Sequence, residues 1–157
     1  MKRKIKSNCK VIVLVFIVAL TLLGCSTGEI VDSPEIDVQG MLDAAEQDAT
    51  ALHKKLTEDP SLKQADMNAL SQDIYQIWDD LLNELWEVLK DTLDEKTMQN
   101  LLEEQRAWIT TKEAEVKKAG EAYAGGSMAP LVSNQKAAEL TKKRVYELVT
   151  YFGFEDN

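Results

Sequence analysis

Apolar residues recur along this chain at helical spacing, interrupted at a few points by turn-forming residues. Leu42, Ala45, Ala49, Leu52 and Leu56 follow one another at 3-4-3-4 intervals, which predicts a weakly amphipathic first helix ending before Pro60. A second helix is predicted from about Ser61 or Asp66 to Leu93. A third follows from Asp94, a residue type suited to capping its start, to about Ala119. The stretch GEAYAGGS then breaks the pattern. A last helix is predicted from about Ser127, with Pro130 in its first turn where a missing N–H is harmless, to Phe152 before Gly153. No alternating strand pattern is present. The fold expected is therefore all-α, a small bundle of three main helices plus a weaker N-terminal one.

Projecting each helix at 100° per residue separates its faces. In the segment around IWDDLLNELWEVLKDTL, Ile74, Ile77, Trp78, Leu81, Leu82, Leu85 and Leu89 cover roughly half of the circumference. So wide a stripe implies two neighbouring helices, which makes this the central helix. Trp86 borders the stripe, and Asp79 and Asn83 form a polar row beyond it. Polar residues also project into apolar faces elsewhere. Gln105 lies among Met98, Leu101, Leu102, Ile109 and Val116, Thr141 lies amid Val145, Leu148 and Phe152, and Arg144 lies between Leu140 and Leu148. Left unpartnered in a core, such groups would cost on the order of several kcal/mol. The expectation is one interhelical network joining Asp79 and Asn83 to Gln105, Thr141 and Arg144.

The N-terminus follows a different logic. Lys2, Arg3, Lys4, Lys6 and Lys10 form a basic start, Val11 to Leu23 form an apolar run of 13 residues, and LLGCS follows. Crossing a bilayer takes about 20 apolar residues, so the run fits a signal peptide better than an anchor helix. Leu22-Leu23-Gly24-Cys25 resembles a bacterial lipobox, which implies cleavage before Cys25 and a lipid on its sulfur. The expected organisation is a signal peptide over 1–24, a lipidated Cys25 with a flexible tether to 40, an amphipathic helix over 41–59 and a helical domain over 60–157. Cys9 falls in the removed part. Cys25 is then the single thiol, and no internal disulfide can form.

Removing the leader sharpens the charge. Of 18 Lys and Arg, five lie in residues 1–24, leaving 13 against 27 Asp and Glu, a formal charge of −14. Such a surface repels nucleic acid and attracts cationic partners over a Debye length of about 8–10 Å. Catalytic constellations are lacking. His53 is the single histidine, the carboxylates lie mainly on outer helix faces, and no glycine-rich phosphate loop follows a strand. Neither enzyme activity, nor a metal site, nor a cofactor is expected.

Four blocks of residues carry a family resemblance. Asp79-x-x-Leu82-Asn83-x-x-Trp86-x-x-Leu89, Gln105-x-x-Trp108, Gly125-Gly126-Ser127 and Leu140-Thr141-x-x-Arg144-x-x-x-Leu148 resemble, in order and spacing, the LprI lysozyme-inhibitor N-terminal domain family. The resemblance runs from about Leu70 to Phe152 and leaves Gly40 to Asp59 outside. It implies a small helical domain of exported bacterial proteins, often lipoproteins, and an activity of lysozyme inhibition. Many members carry a Cys near the end of the third helix and another early in the last. The corresponding positions here are Val116 and Lys136, so the intervening loop is expected to be looser.

The function expected is that of a lipid-anchored, extracytoplasmic protein-binding module, inhibitor-like towards cationic lysozyme. The alternative is a structural or assembly scaffold for another envelope protein, with no lysozyme contact. The Gly125-Gly126-Ser127 loop, with Asp and Glu side chains around it, is the candidate binding element. The signature residues Asp79, Asn83, Trp86, Gln105, Trp108, Gly126, Ser127, Thr141 and Arg144 are expected to serve the fold. An acidic concavity or loop would favour the inhibitor, and an exposed apolar ridge the scaffold.

Overall fold

Asp37 opens the first helix by accepting a hydrogen bond from the Gly40 N–H at 2.7 Å, the local contact that an N-cap carboxylate makes. Its carboxylate folds so closely over Gly40 that a Cβ there would collide with it. The computed structural model describes residues 36–153. The signal sequence, Cys25 and most of the expected tether therefore lie outside the described residues. Helix α1 spans Val38–Glu58, α2 Gln64–Thr92, α3 Glu95–Glu121 and α4 Ala129–Val149. A 3-10 turn, Thr150–Phe152, extends α4. The all-α expectation holds, with one correction at the start. Val38, Gln39 and Gly40 belong to α1 rather than to the tether, because burying Val38 favours continuing the helix back to Asp37.

The helix ends follow their sequence signals. Asp66 caps α2 from its first turn, accepting from the Lys63 N–H through Oδ2 at 3.0 Å. Asp94 caps α3 as expected, accepting from the Lys96 and Thr97 N–H groups and from the Thr97 hydroxyl. Helix α4 begins at Ala129, two residues later than expected, with Pro130 in its first turn. Gly153, at φ 85°, stops the closing turn in the left-handed region that glycine tolerates.

Helix α2 packs most extensively on α4 and next on α1, while α3 lies against α4. The wide apolar stripe of α2 thus meets two partners, as its width required. Short connections at 59–63, 93–94 and 122–128 reverse the chain three times, so α2 and α4 run parallel and α1 and α3 run against them. Asn134 near the start of α4 bonds Asn68 and Ser71 near the start of α2, which confirms that register. The chain enters at Ile36 and leaves at Gly153 from one end of the bundle, and the α1–α2 and α3–α4 loops form the other.

The core is uneven along this axis. Leu85, Leu89, Leu101, Val145 and Leu148 are fully enclosed towards the entry end, in a cluster that also takes Val38, Leu42, Ala45 and Ala49 from α1. Helix α1 therefore shares the core of the residues that follow position 60. The loop end holds a smaller cluster of Leu56, Leu70 and Leu131. Helix α3 buries only Leu101 and Gln105, and Ile109, expected on its apolar face, is exposed.

Candidate functional site

The polar residues of the signature do come together, but as two clusters. In the first, Arg144 of α4 is 7% exposed and donates from Nε to Gln105 Oε1 of α3 at 2.9 Å. Its Nη1 bonds Glu147 at 2.9 Å, and its Nη2 lies 3.9 Å from Glu104. Gln105 fixes the guanidinium plane and the partly exposed carboxylates balance its charge, while Nη2 makes no hydrogen bond among the described residues. Thr141 is fully buried one turn earlier, and its hydroxyl has no hydrogen-bond partner among the described residues.

The second cluster gathers on Asp79 of α2. Tyr75 donates its hydroxyl to Asp79 Oδ1 at 3.0 Å and accepts from Lys112 Nζ of α3 at 3.4 Å. Lys112 Nζ also lies 3.8 Å from Asp79, 4.8 Å from the Trp108 ring centre and 5.4 Å from that of Tyr75. Its ammonium is thus caged between a carboxylate and two aromatic faces. Burial, then the Asp79 carboxylate, pushes the Tyr75 hydroxyl up to about 12. Trp108 and Trp86 are half-buried against the core edge.

The single network expected among Asp79, Asn83, Gln105, Thr141 and Arg144 is therefore corrected. No hydrogen bond among the described residues links Arg144 or Gln105 to Asp79 or Asn83. The reason is angular. Asp79 and Asn83 stand roughly 100° and 140° round α2 from Trp78, on the flank towards α3, whereas Arg144 reaches Gln105 from α4. Asn83 is exposed and bonds only Asp79 of its own helix, at 3.5 Å, so it does not fasten neighbouring helices. Sequence reading missed Lys112, Tyr75, Glu104 and Glu147. The pairs Tyr75/Asp79 and Trp108/Lys112 at i, i+4, and Arg144/Glu147 at i, i+3, were the available signal.

The α3–α4 loop covers residues 122–128, all exposed. Gly125 turns it at φ 78°, and the Gly126 N–H donates to Tyr123 O at 2.9 Å. Gly126 and Ser127, the rest of the expected element, lie directly after this turn. Ser127 is tied down: its carbonyl accepts from Asn68 Nδ2 at 3.0 Å, and Asn68 O in turn accepts from Asn134 and Ser71. Tyr123 and Met128, each 42% exposed, project from the loop. The loop has no carboxylate of its own, and Glu121 before it lies 4.0 Å from Lys117.

The carboxylates concentrate elsewhere. Asp73, Asp80, Glu84, Glu87 and Asp91 are exposed on the outer face of α2 and fall within about 60° of one another around its axis. The row is about 27 Å long at 1.5 Å per residue. Among the described residues only Glu87 has a cationic partner there, Lys90 at 2.6 Å. A ridge of one sign with so little internal compensation projects its field into solvent.

A family model described as "Lysozyme inhibitor LprI" matches residues 57–148, from the last turn of α1 to the last turn of α4. No curated protein and no solved structure matches the chain.

Proposed function

The chain belongs to the LprI lysozyme-inhibitor family, and from that premise we propose that it is an extracytoplasmic module that binds and restrains a cationic lysozyme, held to the membrane by lipid on Cys25. The observation that carries this reading is the acidic ridge of α2. Five exposed carboxylates with one local cation form a surface that would steer a basic protein and orient it on arrival. Helix α2 packs against both α4 and α1, so the ridge stands on a supported backbone and its charges need little reordering on binding. The tethered Gly125-Gly126-Ser127 loop, carrying Tyr123 and Met128, offers the apolar anchors that charge alone does not supply.

The test is to mix the chain from Ser26 onward with cationic lysozymes and follow muramidase activity at two salt concentrations. Inhibition at low salt that weakens at high salt supports the reading. No inhibition by any lysozyme, with a different envelope protein recovered on the loop, would replace it with the scaffold role.

A further inference from the structure

Between α1 and α4, over the upper half of α2, lies a pocket of about 360 Å³, which is within the range of small-molecule sites. Its origin is legible in the packing. The two apolar clusters of the bundle are bridged here by Ile74, which packs against both, and the facing positions on the walls are small, Ala49 on α1 and Ala138 on α4. Ile74 and an edge of Trp78 supply the floor. Ser71 beside them is already satisfied, donating to Asn68 O and accepting from Asn134 Nδ2. The interior is therefore apolar with no polar group in need of a partner.

The mouth has the opposite character. Glu46, Glu139 and Lys142 stand on it, with Thr50, His53 and Gln135 as further hydrogen-bonding groups. Lys142 Nζ and the Tyr146 hydroxyl both bind Glu46 through Oε1, each at 2.6 Å, and Lys136 binds Glu139 through Oε1 at 2.9 Å. Among the described residues no bond reaches the second oxygen of either carboxylate, which leaves it for a further donor. Burial opposes the Glu46 charge, yet the bonds from Lys142 and Tyr146 outweigh it and hold the carboxyl below its ordinary 4.5. The Trp78 ring also receives one cation already, Lys142 Nζ at 4.9 Å. None of the exposed large apolar side chains of the bundle, such as Tyr123 or Ile109, lines this pocket.

We propose that this pocket is a binding site for a small organic monocation, one ring-sized apolar body bearing an ammonium, amidinium or guanidinium group. The body would occupy the space between Ala49, Ala138 and Ile74, and the cationic head would take the open oxygens of Glu46 and Glu139. An anion of the same size would find one cation in the lining, Lys142, and that ammonium is already held by Glu46 and by the Trp78 ring. The site lies on the core side of α2, away from the acidic ridge, so it stands independently of the lysozyme reading.

The test uses three probes of similar size: benzamidine, the neutral benzamide, and toluene-4-sulfonate. Each is titrated into the chain from Ser26 onward while the Trp78 indole N–H and the His53 ring are followed by NMR. Saturable shifts at both residues are expected with benzamidine, at a Kd below about 1 mM. Benzamide should bind at least about tenfold more weakly, and the sulfonate not at all. Ala138→Leu, which fills the pocket, should abolish the shifts. Glu139→Gln, at an exposed position where folding is not at risk, should weaken benzamidine by about threefold to tenfold. Absence of saturable shifts, equal binding of the three probes, or unchanged binding in Glu139→Gln would overturn the proposal.

Discussion

The two ends of this bundle are built differently. At the entry end, Leu85, Leu89, Leu101, Val145 and Leu148 from three helices close a core that solvent does not reach. At the loop end, Leu56, Leu70 and Leu131 form a small cluster, a pocket opens beneath it, and residues 121–128 are all exposed. The contrast teaches that stability and adaptability are housed apart. Apolar burial grows with the number of helices that converge, and α3 has no fully buried residue after Gln105, with Trp108 at the core edge. The loop end is then free to open locally without unfolding the whole, which is where binding elements are commonly drawn from.

The largest effect should come from emptying the closed core. Leu85→Ala or Leu148→Ala should cost about 3–5 kcal/mol in urea unfolding, because rigid neighbours cannot collapse into the void. Leu131→Ala at the loop end should cost about 2 kcal/mol, since its surroundings can relax. Equal losses at the two ends would erase the contrast. Next in size, Arg144→Ala should cost about 3 kcal/mol by stripping Gln105 of its partner in a buried site. The double variant Gln105→Leu with Arg144→Met should recover most of that loss, as apolar replacement removes both desolvation costs.

A pH experiment sharpens the view of the flank joining α2 to α3. Tyr75 is raised by burial and by Asp79 to about 12, so the folded state holds the phenolic proton more tightly than the unfolded chain does. Its contribution is intact below the ordinary value of about 10 and is lost as pH rises from there to 12. Unfolding curves should show this alkaline decline, and Tyr75→Phe should flatten it. The smallest effects test local control. Asn68→Ala should change global stability by no more than about 1 kcal/mol. It should nevertheless speed amide exchange at Ser127 to Ala129, whose loop it releases. Asn83→Ala should stay within about 0.5 kcal/mol of the parent, because the side chain is exposed and bonds only within α2.

Much of the fold was legible because it rests on short-range rules. The period of the α2 stripe located the central helix, and Asp94 announced the start of α3. Gln105, Thr141 and Arg144 were readable as buried, since polar residues inside an apolar stripe have nowhere else to go. What joins them was not legible. A helical projection gives the angle of a side chain but not which neighbour stands at that angle, so Asp79 was assigned to Arg144 when Lys112 holds it. Val38 was lost to the tether although it extends the Leu42, Ala45, Ala49 series back by four, because Gly40 between them reads as a break in the helix. The pocket was invisible for a related reason: Ala49 and Ala138 lie about 90 positions apart, and only their meeting across α2 leaves the space.

The central claim is that the exposed carboxylates of α2 recruit a cationic lysozyme. Its most direct test is inhibition of muramidase activity by the parent chain and by Asp80→Asn, Glu84→Gln, Asp91→Asn together. These positions are exposed and pair with no cation among the described residues, so the triple variant should fold with an unchanged thermal transition. The expected result is inhibition by the parent that weakens from low to high salt, and at least about tenfold weaker inhibition by the variant at low salt. Equal inhibition by the two proteins, or none by either, would contradict the claim.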